Sequence, residues 1–419
     1  MLVLSRSPDG TCIFTSDHDR TFTVYPIDYD LTGASLPRNL RPYAQFTSTE
    51  PIWAFAAPPY FNLYDSASTH ILVSSRDSYI TLHNALWNVS TASESTPTDK
   101  PSGPVDISTK IASYKLIDNH TEAVIAPHSL TYTNHGTHFI TGSQNQISLF
   151  DLNYTSEPTH IIRTIPSTRS KLKEGGRGYK GYISALSVSP PSPSANYGIL
   201  AAGTWSRYIG LYDTEGSGGQ ITHFALPGTI NGKTSYNTHD DPGTQGNGVS
   251  QLKWSPCSRY LYVAERKSDV VLIYDVRNFR LSLAHCVGRN AMTNQKMGFD
   301  VWLPNRGMND PQLLDENLET LQEVWAGGVD GKMRVWRDPH LKEGAVEADD
   351  VLSVGDTPVV GTLVHPQGGV LVAASASLGG VGGEWEKERG GGPRYRGEGC
   401  LDIFSLDGYG SGHGPNMKE

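Results

Sequence analysis

The 419-residue chain has a formal net charge of −9, 37% apolar residues and four cysteines; it can build a large core but is too acidic to bind nucleic acid indiscriminately over its whole surface. No window approaches the roughly 18 consecutive apolar residues of a membrane span, and Met1-Leu2-Val3-Leu4-Ser5-Arg6 lacks the charged and apolar regions of a signal peptide, so a soluble intracellular protein with no membrane partner is expected. Cys12, Cys257, Cys286 and Cys400 form no C-x-x-C pair and no regular spacing, which argues against a disulfide framework or zinc site and for reduced, packed thiols.

Short runs rich in Val, Ile, Leu, Tyr and Phe recur between Gly, Pro, Asn, Asp and Ser clusters, an all-β pattern. Each unit is clearest in its second half, where an apolar strand enters small residues, turns, and is followed by a strand ending in an aromatic. Taken along the chain, these pairs are 12–16 with 21–25, 71–75 with 79–83, 138–143 with 147–151 and 198–203 with 208–213. They continue with 260–264 and 270–275, 323–328 and 333–336, and 370–375 and 401–404. A four-stranded unit cannot bury both faces alone, so seven of them predict a seven-bladed WD40 β-propeller, with blades stacked around an axis.

The propeller is expected to span residues 1–406, with a disordered Gly-rich tail over 407–419. Typical repeats need about 40–45 residues, so the surplus is assigned to mobile insertions at 91–110, 214–247, 304–322 (with room for one short helix) and 378–398. The first unit begins almost at Met1, leaving no strand ahead of it to complete the last blade. Either the seventh blade has three strands or the protein starts further upstream, and the second is preferred. The many non-local strand pairs also make the chain a candidate chaperonin client.

No nucleophile elbow, phosphate-binding Gly-rich loop, dinucleotide fingerprint or H-E-x-x-H motif is present, so no catalytic residue, metal, cofactor or small-molecule substrate is assigned. His128, His135 and His138 are close in sequence, but strand alternation scatters them; His128 reads as a buried hydrogen-bonding residue at a strand start. Asp240-Asp241 and Asp349-Asp350 read as solvated loop charges, and the nearly neutral Gly379–Gly392 stretch as a flexible insertion.

In a propeller, the turns joining the second and third strands and the connections between blades open on one rim, the top. The connection 163–180 there holds Arg163, Arg169, Lys171, Lys173, Arg177 and Lys180 against only Glu174. Turns of other blades add Arg20, Arg76, Arg207, Arg266 and Lys267, with Trp205 and Tyr179 nearby in sequence. Cations neutralise phosphates and aromatics stack on unpaired bases, the usual way of holding single-stranded RNA. A solvated, salt-bridged rim is the competing reading, and the sequence pattern does not decide between them.

Ser7-Pro8-Asp9-Gly10-Thr11-Cys12-Ile13, Ser74-Ser75-Arg76, Asp118-Asn119-His120-Thr121-Glu122, Arg207-Tyr208-Ile209-Gly210-Leu211-Tyr212, Arg266-Lys267-Ser268-Asp269, Tyr274-Asp275-Val276-Arg277 and, most distinctively, Thr293-Asn294-Gln295-Lys296 resemble the telomerase Cajal body protein family of WD-repeat proteins. That family includes fungal relatives associated with small nuclear ribonucleoproteins and pre-mRNA splicing. The resemblance implies a nuclear scaffold, also present in cytoplasm in one version, that binds small nuclear or Cajal-body-type RNA and RNP proteins. Carried over by position, it implies a binding face of Arg76, His120, Arg207, Arg266, Lys267, Arg277, Arg289, Asn294 and Gln295, with Arg277 and Asn294 alternatively locking adjacent blades. Arg6 stands where the family usually has Trp, and the acidic, proline-rich extension of animal members is missing, so the splicing-associated role is favoured over telomerase partnership. With Lys171, Lys173, Arg177, Lys180 and Trp205 from the basic rim, these residues are the candidate RNA site; a purely protein-binding adaptor is the alternative.

Overall fold

The computed structural model describes residues 3–27, 40–90, 103–165, 178–192, 195–230, 233–234, 244–304, 321–376, 385–386, 394–395 and 399–406. Within them seven small sheets form the ring of a seven-bladed β-propeller, and each sheet runs outward from the axis in chain order. The innermost strands are Val3–Arg6, Ile52–Ala56, Ser129–Tyr132, Ile183–Val188, Val249–Trp254, Phe299–Trp302 and Val359–Val364. All seven strand pairs expected from the sequence are second and third strands of successive blades.

The alternation of side chains along a strand explains the ring. Successive residues point to opposite sheet faces, so each blade offers one apolar set to the blade before it and another to the blade after. In blade two, Ile71 and Val73 join Phe14 and Phe22 of blade one, whereas Leu72 joins Leu130 and Phe139 of blade three. In blade five, Leu261 and Val263 pack with Ala201 and Leu211 of blade four, and Tyr260 and Tyr262 with Phe299 and Val324 of blade six. The last interface joins Leu363, Val370 and Val372 of blade seven to Ile13 of blade one. The core is therefore a closed series of inter-blade layers.

The small residues ending the second strands follow from this stacking. A Cβ on Gly142 would lie 2.6 Å from Ile183 Cγ2, one on Gly203 2.6 Å from Val249 Cγ1, and one on Gly327 2.6 Å from Val359 Cγ1. In each case the next blade's innermost strand occupies the space a side chain would need.

Among the described residues the seventh sheet has three strands, and its contact with blade one is made by side chains. An ionic hub on the innermost strands adds to this closure. Buried Asp300 of blade six pairs with Lys253 of blade five and, at 3.9 Å, with Arg6 of blade one, and accepts a hydrogen bond from the Val364 N–H of blade seven at 2.9 Å.

Two expected insertions also contribute strands. Within 214–247 lies the outer strand of blade four, Gln220–Ala225, and 91–110 supplies Val105–Asp106, which adds in parallel to the outer edge of blade one. Outer strands leave much of their surface in water and so lack the apolar run that marks the inner ones. Most of 304–322 and 378–398, and all of 407–419, fall outside the described residues. Cys12 and Cys286 are buried and free; Cys257, in the turn between the first two strands of blade five, and Cys400, near the start of the third strand of blade seven, are free but exposed rather than packed. No helix among the described residues is long and apolar enough to cross a membrane.

Candidate functional site

The top rim collects the turns between second and third strands and the connections between blades. In the turns of blades one to five, Arg20, Asp77, Asn145, Arg207 and Lys267 all have positive φ, between 49° and 64°. This recurring left-handed position fixes each turn at a modest backbone cost.

An aromatic chain crosses the rim from blade two to blade five. Trp53, in the innermost strand of blade two, stacks on His128 at the start of blade three, with centroids 4.1 Å apart and planes at 10°. His128 in turn meets Tyr182 and Trp205 of blade four, both at 4.9 Å, and those two rings lie 5.1 Å apart. The Arg266 guanidinium from blade five lies 5.2 Å from the Trp205 ring centroid. Gly248 makes room for this approach: its φ is +93°, and a Cβ there would sit 2.6 Å from the Trp205 carbonyl oxygen. Paired backbone bonds, Arg266 N–H to Gly248 and Asn247 N–H to Arg266, then hold Arg266 in place.

Burial, reinforced by the Arg266 charge, pulls the His128 imidazole down to about 4, so the ring is neutral at physiological pH. Burial followed by the same arginine brings the Lys296 ammonium down to about 8, and burial alone lowers Arg266. The expectation that His128 is a buried hydrogen-bonding residue is replaced by a half-buried ring whose contacts are aromatic. His128 stands at one end of the innermost strand Ser129–Tyr132, and His135 and His138 follow it at the other end, so the strand separates them.

Beside these rings, over blade three, lies a groove of about 1120 Å³. Trp53, His128 and Tyr182 line it, with His120 and Asp118 from the connection between blades two and three, and Arg163 and Lys180 from the connection between blades three and four. The Asp118 carboxylate accepts the N–H groups of His120 and Thr121 at 2.8 and 3.0 Å, which shapes that wall. Charge is mixed here, because Asp77 also faces the groove.

The other candidates fall into three groups. Arg76, Lys267, Asn294 and Gln295 are on the rim: Arg76 is exposed and pairs with Asp77 at 3.1 Å, and the Lys267 N–H donates to the Thr293 carbonyl at 2.8 Å, which sets the 293–296 run against the blade-five turn. Arg207, Arg289 and Tyr179 lie inside instead. Arg207 makes a bidentate ion pair with Glu265 of the next blade, at 2.7 and 2.8 Å, with both side chains about 1% exposed. Arg289 is fully buried and donates to the Gly298 carbonyl; burial takes it down to about 10. Tyr179 is buried and shares a 2.6 Å hydrogen bond with Tyr212, so Trp205 and not Tyr179 is the surface ring. Arg277 follows a third strand and therefore lies on the opposite rim, clamped to Asp275. Lys171, Lys173 and Arg177 lie outside the described residues.

Trp53, Tyr182 and Lys296 were missed from sequence. The available signal was positional: all three lie at or just before innermost strands, and aligning the repeats on those strands instead of on the more apolar middle pairs would have put them on one rim. Among the described residues no group of three or more His, Cys, Asp or Glu side chains could hold a metal ion.

No protein-family model matches the chain. Among curated proteins it is 27% identical over 342 residues to guanine nucleotide-binding protein negative regulator 1 of Schizosaccharomyces pombe, covering 80% of this chain and 70% of that one. It is 24% identical over 338 residues to telomerase Cajal body protein 1 of Bos taurus, covering 79% and 49%, and 24% identical over 368 residues to protein SWT21 of Zygosaccharomyces rouxii, covering 86% and 72%. The chain spans about half the length of the mammalian telomerase Cajal body proteins it matches. At 22–27% identity over most of its length, the chain is a homologue of telomerase Cajal body protein 1 and of the related WD-repeat proteins.

Proposed function

We propose that this propeller is a non-catalytic nuclear scaffold that binds small non-coding RNA and RNP proteins on its top rim and supports RNP localisation or pre-mRNA splicing. The observation that carries this reading is the run of rings Trp53, His128, Tyr182 and Trp205 ending on Arg266, beside a groove edged by Arg163 and Lys180. Flat faces that stack on unpaired bases and cations that meet phosphates are the two elements of single-strand recognition. The relatives named for telomerase and the Cajal body add support for an RNP role and a nuclear location.

Ultraviolet crosslinking of the protein to total small RNA, followed by sequencing, tests this. Defined small nuclear or Cajal-body-type RNAs should be enriched, and Trp53→Ala or Tyr182→Ala should cut their recovery. The name of the S. pombe relative, a negative regulator of a guanine nucleotide-binding protein, favours a second reading, a protein-binding adaptor. That reading predicts co-purifying protein and no crosslinked RNA.

A further inference from the structure

The Arg266 side chain is the odd member of the rim. Its guanidinium covers Trp205, and its Nε is buried with no hydrogen-bond partner among the described residues; the Trp205 Nε1 donor is in the same condition. Buried polar groups are nearly always satisfied, and a buried cation is costly unless an anion accompanies it. A second cation, half-buried Lys296, adds to the deficit: the 2.8 Å bond from the Lys267 N–H to the Thr293 carbonyl sets its run against the turn that carries Arg266, and no ion pair to it is found among the described residues. Two half-buried cations and two orphaned donors at the end of an aromatic run describe a place for an anion.

The surroundings select the kind of anion. Four aromatic rings could in principle cage a methylated ammonium, but His128 already covers the Trp53 face at 4.1 Å and Arg266 already covers Trp205. A further cation would meet Arg266 and Lys296 at once. A nucleotide fits both halves of the site: its phosphate would meet the cations, and its base the Tyr182 ring, which is 36% exposed.

We propose that Arg266 and Lys296 form the seat for one backbone phosphate of a single-stranded RNA, at the end of the track floored by Tyr182, His128 and Trp205. This rests on the RNA-binding reading above and assigns the strand a fixed point on it. Phosphate contacts set the register of a bound strand, and neighbouring stacked bases carry the rest.

The test uses the full chain and a fluorescein-labelled, mixed-sequence RNA decamer, followed by anisotropy over a series of KCl concentrations. Arg266→Gln and Lys296→Gln should each weaken binding about tenfold near 100 mM salt and flatten the log–log salt slope by about 0.7, the value for one phosphate contact on a single strand. Arg266→Lys, which keeps the charge, should retain most of the slope, and unchanged far-ultraviolet circular dichroism confirms that each variant folds. In parallel, inorganic phosphate should raise the melting temperature relative to chloride at matched ionic strength, and the Gln variants should lose that effect.

RNA binding with wild-type slopes in both Gln variants overturns the seat and leaves the RNA reading standing. Phosphate stabilisation that depends on Arg266 and Lys296, with no RNA binding, overturns the nucleotide assignment and turns the seat over to a phosphorylated protein. Neither RNA nor phosphate binding overturns both.

Discussion

Glu265→Gln should cost this protein several kilocalories per mole although the residue is almost entirely buried. Glu265 ends the second strand of blade five, and its two oxygens hold Arg207 of blade four at 2.7 and 2.8 Å, with both side chains about 1% exposed. Neutralising the carboxylate leaves the guanidinium enclosed and uncompensated, and such breaks cost about 3–5 kcal/mol. For 419 residues, an unfolding entropy of about 2.1 cal/mol/K per residue comes to about 0.9 kcal/mol/K, so cooperative melting should fall by about 3–6 °C. The double variant Arg207→Met, Glu265→Leu removes both charges and should recover to within about 1 kcal/mol of the wild type or exceed it. Urea titration monitored by tryptophan fluorescence supplies the four corners of the cycle. A Gln variant as stable as the wild type, or a double variant no better than the single, would refute the claim that this pair locks blades four and five.

Asp300 should make ring closure sensitive to acid. Burial raises its carboxyl, but the Lys253 and Arg6 charges and its hydrogen bonds outweigh that and hold it below the ordinary aspartate value. The stability it contributes is thus present above about pH 4 and lost as pH falls through the lower folded value; urea midpoints measured from pH 5 to 2 should drop more steeply in the wild type than in Asp300→Asn. His128 shifts in the same direction over a higher pH window: with the folded ring at about 4, the unfolded chain binds the extra proton, so its contribution is complete above about 6.5 and declines as pH falls toward 4. NMR titration of the His128 Cε1–H should give a midpoint near 4, and a midpoint near 6.5 would contradict the enclosed stack. Tyr182→Ala should weaken short single-stranded RNA by about 1–3 kcal/mol, roughly 5- to 150-fold, with an unchanged salt slope because no charge is removed; anisotropy measures both.

The all-β class, the sevenfold repeat and the register of the middle strands were legible in the chain because those strands are buried on both faces. Pairs such as Tyr260-Leu261-Tyr262-Val263 against Val271-Leu272-Ile273-Tyr274 are continuous apolar runs, and local composition reports that directly. Gln220–Ala225 and Val105–Asp106 were hidden because edge strands bury little and take their pairing from a partner strand. The same limit governed the site. That Arg207, Arg266 and Lys267 sit in turns of the top rim follows from where the second strand ends, and sequence alone determined it. Their side-chain fates depended on which residue of the neighbouring blade lay opposite: Glu265 drew Arg207 inside, Trp205 took the face of Arg266, and Lys267 met water. Trp53, His128, Tyr182 and Trp205 lie up to 152 positions apart and became one surface only when the ring closed, because a propeller's rim is assembled from connections that share no strand and no local pattern.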